Sequence, residues 1–93
     1  MAESGFRGKS MKQIATDVAD GYISINPLFL KKFDTDMLKE LHEFLTKAMN
    51  AARNIPVITN DPLSIRNKNV KLQRLHNSLI IIRHIAREKR IPL

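Results

Sequence analysis

The stretch Asp34–Arg53, DTDMLKELHEFLTKAMNAAR, decides the fold class. Leu38, Leu41, Leu45, Ala48 and Ala52 recur at intervals of three, four or seven residues, which puts them on one stripe of a helix. Met37, Phe44 and Met49 flank that stripe, and Glu40, Glu43, Lys47 and Asn50 fall opposite it. Asp34 supplies a side-chain acceptor for the N–H groups of the first turn, and Phe33 and Leu38 on either side of it have the spacing of a hydrophobic staple. A helix with one apolar stripe must bury it against another element. The rest of the chain therefore has to supply that element.

Toward the C-terminus, Asn54 to Asp61 contains Pro56 and β-branched Val57, Ile58 and Thr59, which predicts an extended connection of eight residues suited to antiparallel neighbours. Asp61-Pro62 is a cap followed by a residue with preset φ and no N–H, and the helical pattern then runs to about Arg90, where Pro92 ends it. Asn67 and Asn69 mark a kink or a later start, leaving open whether residues 62–68 continue this helix. Leu72, Leu75, Leu79, Ile82 and Ala86 form the stripe expected to face the preceding helix.

Toward the N-terminus, Ser10 and Gln13 have capping-box spacing, Met11, Ile14, Ala15 and Val18 recur helically, and Gly21 can take the left-handed conformation that closes a helix over 11–20. Asn26-Pro27 opens a short helix, Leu28 to Phe33. Residues 1–9 lack apolar periodicity and read as a flexible tail, so that 10–93 form a single domain. The expected fold is all-α: a small helical bundle built on an antiparallel pair, about 35–53 and 62–90, with one or two short N-terminal helices.

Composition narrows the function classes. With 93 residues, 43% apolar and 5% aromatic, the chain can form one small core of mainly aliphatic side chains. The absence of Cys removes disulfides, thiolate zinc sites and a thiol nucleophile. Neither a secretory signal nor a membrane-length apolar run stands out, so a soluble, cytoplasmic protein is expected.

Charge is the most informative property. Residues 1–65 hold eight basic and eight acidic side chains, whereas 66–93 hold Arg66, Lys68, Lys71, Arg74, Arg83, Arg87, Lys89 and Arg90 against Glu88 alone. The whole net charge of +7 therefore belongs to the last helix. Concentrated positive charge attracts polyanions, and on nucleic acid it gives affinity through counterion release. Those eight cations are the expected nucleic-acid-binding residues. His76, Ile80, Arg83 and Arg87 share one stripe, and the last helix, longer than its neighbour, is expected to overhang it at the C-terminal end.

A second reading competes with this one. Leu79, Ile80, Ile81 and Ile82 point around the helix, so one packed face cannot cover them all. Ile81 and Ile85 define a second apolar face that either the N-terminal helices or another copy of the chain would bury. On that basis the alternative is a protein-interaction or assembly module, a homodimer or an adaptor for an acidic protein surface. Neither reading involves a membrane, a cofactor, a metal or a small-molecule substrate.

Enzyme motifs fail on spacing. His42-Glu43 begins like the zinc-protease helix, but Thr46 stands where the second His is needed. His76 and His84 sit eight residues apart on a basic helix, a poor host for a divalent cation. Gly8-Lys9-Ser10 ends like a phosphate-binding loop, yet Glu3 occupies the place of the first Gly and no strand precedes it. Gly5 and Gly8 have the spacing of a KH-domain loop without that fold around it. A non-enzymatic protein is expected.

In layout, residues 34–90 resemble the two-helix hairpin proteins of the large ribosomal subunit. The apolar run Leu79–Ile82 and the additional N-terminal helices depart from that pattern, so the resemblance assigns no family.

Overall fold

The computed structural model describes residues 5–6, 9–57 and 60–93. Two short strands, β1 (Gly5–Phe6) and β2 (Lys9–Ser10), pair antiparallel and lead into four helices: α1 (Met11–Asp20), α2 (Pro27–Leu30), α3 (Thr35–Arg53) and α4 (Pro62–Glu88). The fold is the expected small all-α bundle, with α3 packed against both α1 and α4 and α2 against α4. The strand pair falls inside the stretch read as a flexible tail, of which 1–4 and 7–8 lie outside the described residues.

Local chemistry explains the helix starts. Ser10, Asn26, Asp34 and Asp61 each accept a backbone N–H of the following first turn, from Gln13, Phe29, Met37 and Leu63 respectively. The Gln13 amide does not reach back to complete a capping box; it donates to Asp17 Oδ1 at 2.9 Å. Lys9 supplies the other partner of Asp17, at 2.6 Å. The Lys9 ammonium first, and the Gln13 amide second, hold the Asp17 carboxyl below its ordinary pKa.

Two helix ends differ from expectation. α2 stops at Leu30, and Phe33 turns into the core instead of continuing the helix, with its ring 5.3 Å from that of Phe29. α4 stops at Glu88, because Arg90 takes a left-handed φ of 59°. The Ile91 N–H then donates to Ala86 O at 2.8 Å and the half-buried Ile91 packs against the core, which is how a Schellman-type terminus closes.

The core is aliphatic. Met11, Ile14 and Val18 of α1, Leu38, Leu41 and Leu45 of α3, and Leu75 and Ile82 of α4 are all but completely buried, and Phe33 is the one aromatic ring among the buried apolar side chains described. Leu72, on the expected α4 stripe, is half-buried, and the rest of that stripe is buried.

The register of α3 and α4 corrects the expected overhang. Lys68 Nζ donates to Ile55 O at 3.1 Å, so the last turn of α3 lies level with Lys68, six residues into α4. Near the other end, His42 feels the charge of Arg83, which fixes the pair as antiparallel. The free end of α4 is thus its N-terminal one. The expected extended connection over 54–61 falls partly outside the described residues, at 58–59, and Asn54 still closes the last turn of α3. α4 runs without interruption through Asn67 and Asn69, so residues 62–68 do continue the helix. At 27 residues it is about 40 Å long and sets the 44 Å long axis of the molecule.

Candidate nucleic-acid interface

Eight cations on or next to α4 were the expected site, and the structure divides them into two sets. Arg74 lies against the end of α1. Its Nη1 donates to Ala19 O at 3.2 Å, and its guanidinium covers Gly21 so closely that a Cβ there would stand 2.8 Å from Cζ. Gly21 has φ 86°, which closes α1 in the left-handed conformation. Lys71 lies 3.7 Å from Asp20 at the same helix end. With Lys68 on Ile55 O, three cations therefore tie α4 to the carbonyl-rich ends of two other helices, where positive charge is electrostatically favoured. These three hold the bundle together.

The second set is free. Among the described residues, the side chains of Arg66, Arg83, Arg87, Lys89 and Arg90 make no hydrogen bond or ion pair, and all five are exposed. The last four stand within the final turns of α4 and its cap, near the negative end of the helix dipole. Glu88, the one carboxylate side chain in the sequence after Asp61, lies 2.7 Å from His84 Nε2. The stripe of His76, Ile80, Arg83 and Arg87 is exposed along its length, with Ile80 at 51%.

Sequence reading missed two residues here. Lys31 and Lys32, in the turn between α2 and α3, are exposed, and among the described residues neither side chain has a hydrogen-bond or ion-pair partner. Because α3 runs antiparallel to α4, that turn sits at the end of the bundle that carries Lys89 and Arg90. Only the tertiary register brings the two together; the sequence signal was merely a Lys pair among balanced charges.

His42 borders the same region from α3. Its Nε2 is buried and has no hydrogen-bond partner among the described residues. Burial first, and the nearby Arg83 guanidinium second, hold its imidazole below its usual pKa.

Ile81 and Ile85, expected as a partner interface, are placed differently. Ile85 belongs to the buried cluster, and Ile81 is half-buried beside Val18 and Ile25 from the N-terminal part of the chain. The chain's own N-terminal segment thus borders this face and leaves Ile81 partly exposed. Exposed apolar side chains occur instead at the free end of α4, where Leu63 and Ile65 are 63% and 40% exposed, and at Tyr22 and Leu28. Among the described residues, no group of three or more His, Cys, Asp or Glu side chains is placed to hold a metal, and no helix is long and apolar enough to cross a membrane.

Compared with protein-family models, with curated proteins and with solved structures, the chain matches none.

Proposed function

We propose that the protein binds nucleic acid along its phosphate backbone through the unpaired cations of α4. The observation that carries this reading is the second set of side chains: among the described residues, Arg66, Arg83, Arg87, Lys89 and Arg90 are exposed and unpaired, while Glu88 lies 2.7 Å from His84 Nε2. A surface that holds several cations without internal partners concentrates anions. Four of the five are Arg, whose planar fork donates two hydrogen bonds to one phosphate. Lys31 and Lys32 stand at the same end of the bundle, with the exposed Asp34 and Asp36 beside them. No Phe, Tyr or Trp lies on α4, which favours backbone or groove contact over stacking of single-stranded bases.

The assembly reading has less open surface at its expected face, because Ile85 is buried and Ile81 half-buried, whereas Tyr22, Leu28, Leu63 and Ile80 are exposed apolar side chains that a protein partner could use.

The test is a titration of fluorescent DNA and RNA duplexes and single strands at several salt concentrations, with sedimentation of the free protein alongside. Binding at low salt whose logarithm falls linearly and steeply with the logarithm of salt concentration is the expected result. No binding at low salt, together with a stable oligomer, would overturn the reading in favour of assembly.

A further inference from the structure

Besides its cations, α4 carries exposed amide side chains that phosphate binding does not use. Between Pro62 and Arg87 the helix contains no Asp or Glu. On one stripe of the helix Asn69, Gln73 and Asn77 follow Arg66 at intervals of three or four residues, and all four are exposed. Among the described residues, none of their side chains makes a hydrogen bond. They line a shallow trough together with Ile65 and Val70. Three amides and a guanidinium, unpaired among the described residues and alternating with aliphatic groups, form one continuous polar stripe on this helix.

We infer that this face, Arg66 to Asn77, reads base edges in the major groove of duplex DNA, with Asn69, Gln73 and Asn77 directed at adenine and Arg66 at guanine. The inference rests on the nucleic-acid reading above and deepens it. Asn and Gln amides match the paired N6 donor and N7 acceptor of adenine, Arg matches O6 and N7 of guanine, and aliphatic groups such as Ile65 and Val70 match the thymine methyl. Size agrees with this pairing. An α-helix with its side chains is about 10–12 Å across, and the major groove of B-DNA is about 12 Å wide.

Arg66 and Ile65 lie on the first turns of α4, which project beyond the end of α3, while Asn69, Gln73 and Asn77 continue the same exposed stripe alongside the bundle. From Asn69 to Asn77 the helix rises about 12 Å, enough to reach three or four successive base pairs. Duplex RNA is excluded as an equal ligand, because its major groove is too deep and narrow for side chains to read.

The experiment is selection from a pool of random-sequence DNA duplexes by the full chain, followed by titration of the enriched duplex, a shuffled duplex and an RNA duplex of the same sequence. The expected result is an enriched motif containing adenine, bound at least about tenfold more tightly than the shuffled duplex. The variant carrying Asn69→Ala, Gln73→Ala and Asn77→Ala should bind both DNA duplexes with the affinity of the wild type for the shuffled one, with an unchanged melting temperature. Because the three positions are exposed, loss of folding is not expected, and the melting curve verifies it.

Salt-dependent binding with no enriched motif would overturn this inference and leave the phosphate reading standing. So would equal affinity for the RNA duplex, or a motif that survives the triple substitution. Absence of binding to any duplex would remove both.

Discussion

The two halves of α4 have similar composition but opposite surroundings. Residues 75–86 include every buried side chain of the helix, whereas none of residues 62–74 is buried. Both halves contain aliphatic and basic residues, so composition does not separate them. What does is the position of α3: its last turn stands beside Lys68, so the helix before that point has lost one of its two neighbours. The same distinction runs through the charges. Lys68, Lys71 and Arg74 lie where other helices end and are used internally, while the exposed side chains of Arg66, Arg83, Arg87, Lys89 and Arg90 make no hydrogen bond or ion pair among the described residues. Position in the bundle, more than residue type, decides whether a cation holds the fold or is available to a ligand.

This contrast is most directly broken by truncating one aliphatic side chain in each half. Ile82→Ala, in the packed half, should destabilise the protein by about 2–5 kcal/mol through lost burial and a residual cavity. Leu63→Ala, in the projecting half, should change stability by less than about 0.5 kcal/mol. Urea denaturation of both variants checks this, and similar losses would mean that the projecting end is packed in solution.

The next comparison sets one anchoring cation against one free cation. Arg74→Ala should cost about 1–2 kcal/mol, because it removes a charged donor from the end of α1 and uncovers Gly21. Arg66→Ala should leave the denaturation midpoint within about 0.5 kcal/mol of wild type and weaken DNA binding. If the two substitutions have the same effect on stability, the division of the cations into two sets fails.

A smaller effect of opposite sign is expected at the end of the helix. Arg90 has its backbone at φ 59°, a conformation that glycine adopts without strain. Arg90→Gly should therefore raise stability by up to about 1 kcal/mol while lowering affinity for a polyanion. Thermal melting and DNA titration read the two changes separately, and a loss of stability would show that the Arg90 side chain itself supports the fold.

The smallest effect concerns pH. With His42 held below its unfolded pKa by burial and by Arg83, the folded state takes up this proton later than the unfolded chain as pH falls. Its contribution to stability is present above the unfolded pKa of about 6.5 and is lost progressively as pH drops from there through the lower folded value. His42→Leu should flatten that part of the stability profile. An unchanged profile between pH 7 and pH 5 would place the titrating group elsewhere.

Much of the fold was legible from local chemistry. All four helix starts were marked by a capping side chain, three of them beside a Pro or within a strong apolar period, and Gly21 marked the end of α1. The stripe Leu38–Ala52 gave α3 almost to the residue. The errors came where tertiary contacts override local pattern. Phe33 left the helix for the core, Gln13 preferred the Asp17 carboxylate to the cap, and Arg90 accepted a strained φ so that Ile91 could pack. The overhang was placed at the wrong end because helix lengths alone do not say where along α4 the end of α3 lies. In the candidate site the charge was visible as a total, but its partition was not: that Arg74 would meet Ala19, 55 residues earlier, depends on the packing of α1 against α4.

The most direct test of the central claim is the salt dependence of duplex DNA binding by the wild type and by the variant carrying both Arg83→Ala and Arg87→Ala. Each free cation that releases a counterion contributes about 0.9 to the slope of log affinity against log salt, so the double variant should have a slope shallower by about 1.8 with its fold intact. An unchanged slope and affinity in a folded double variant would contradict the claim that these exposed cations are the binding surface.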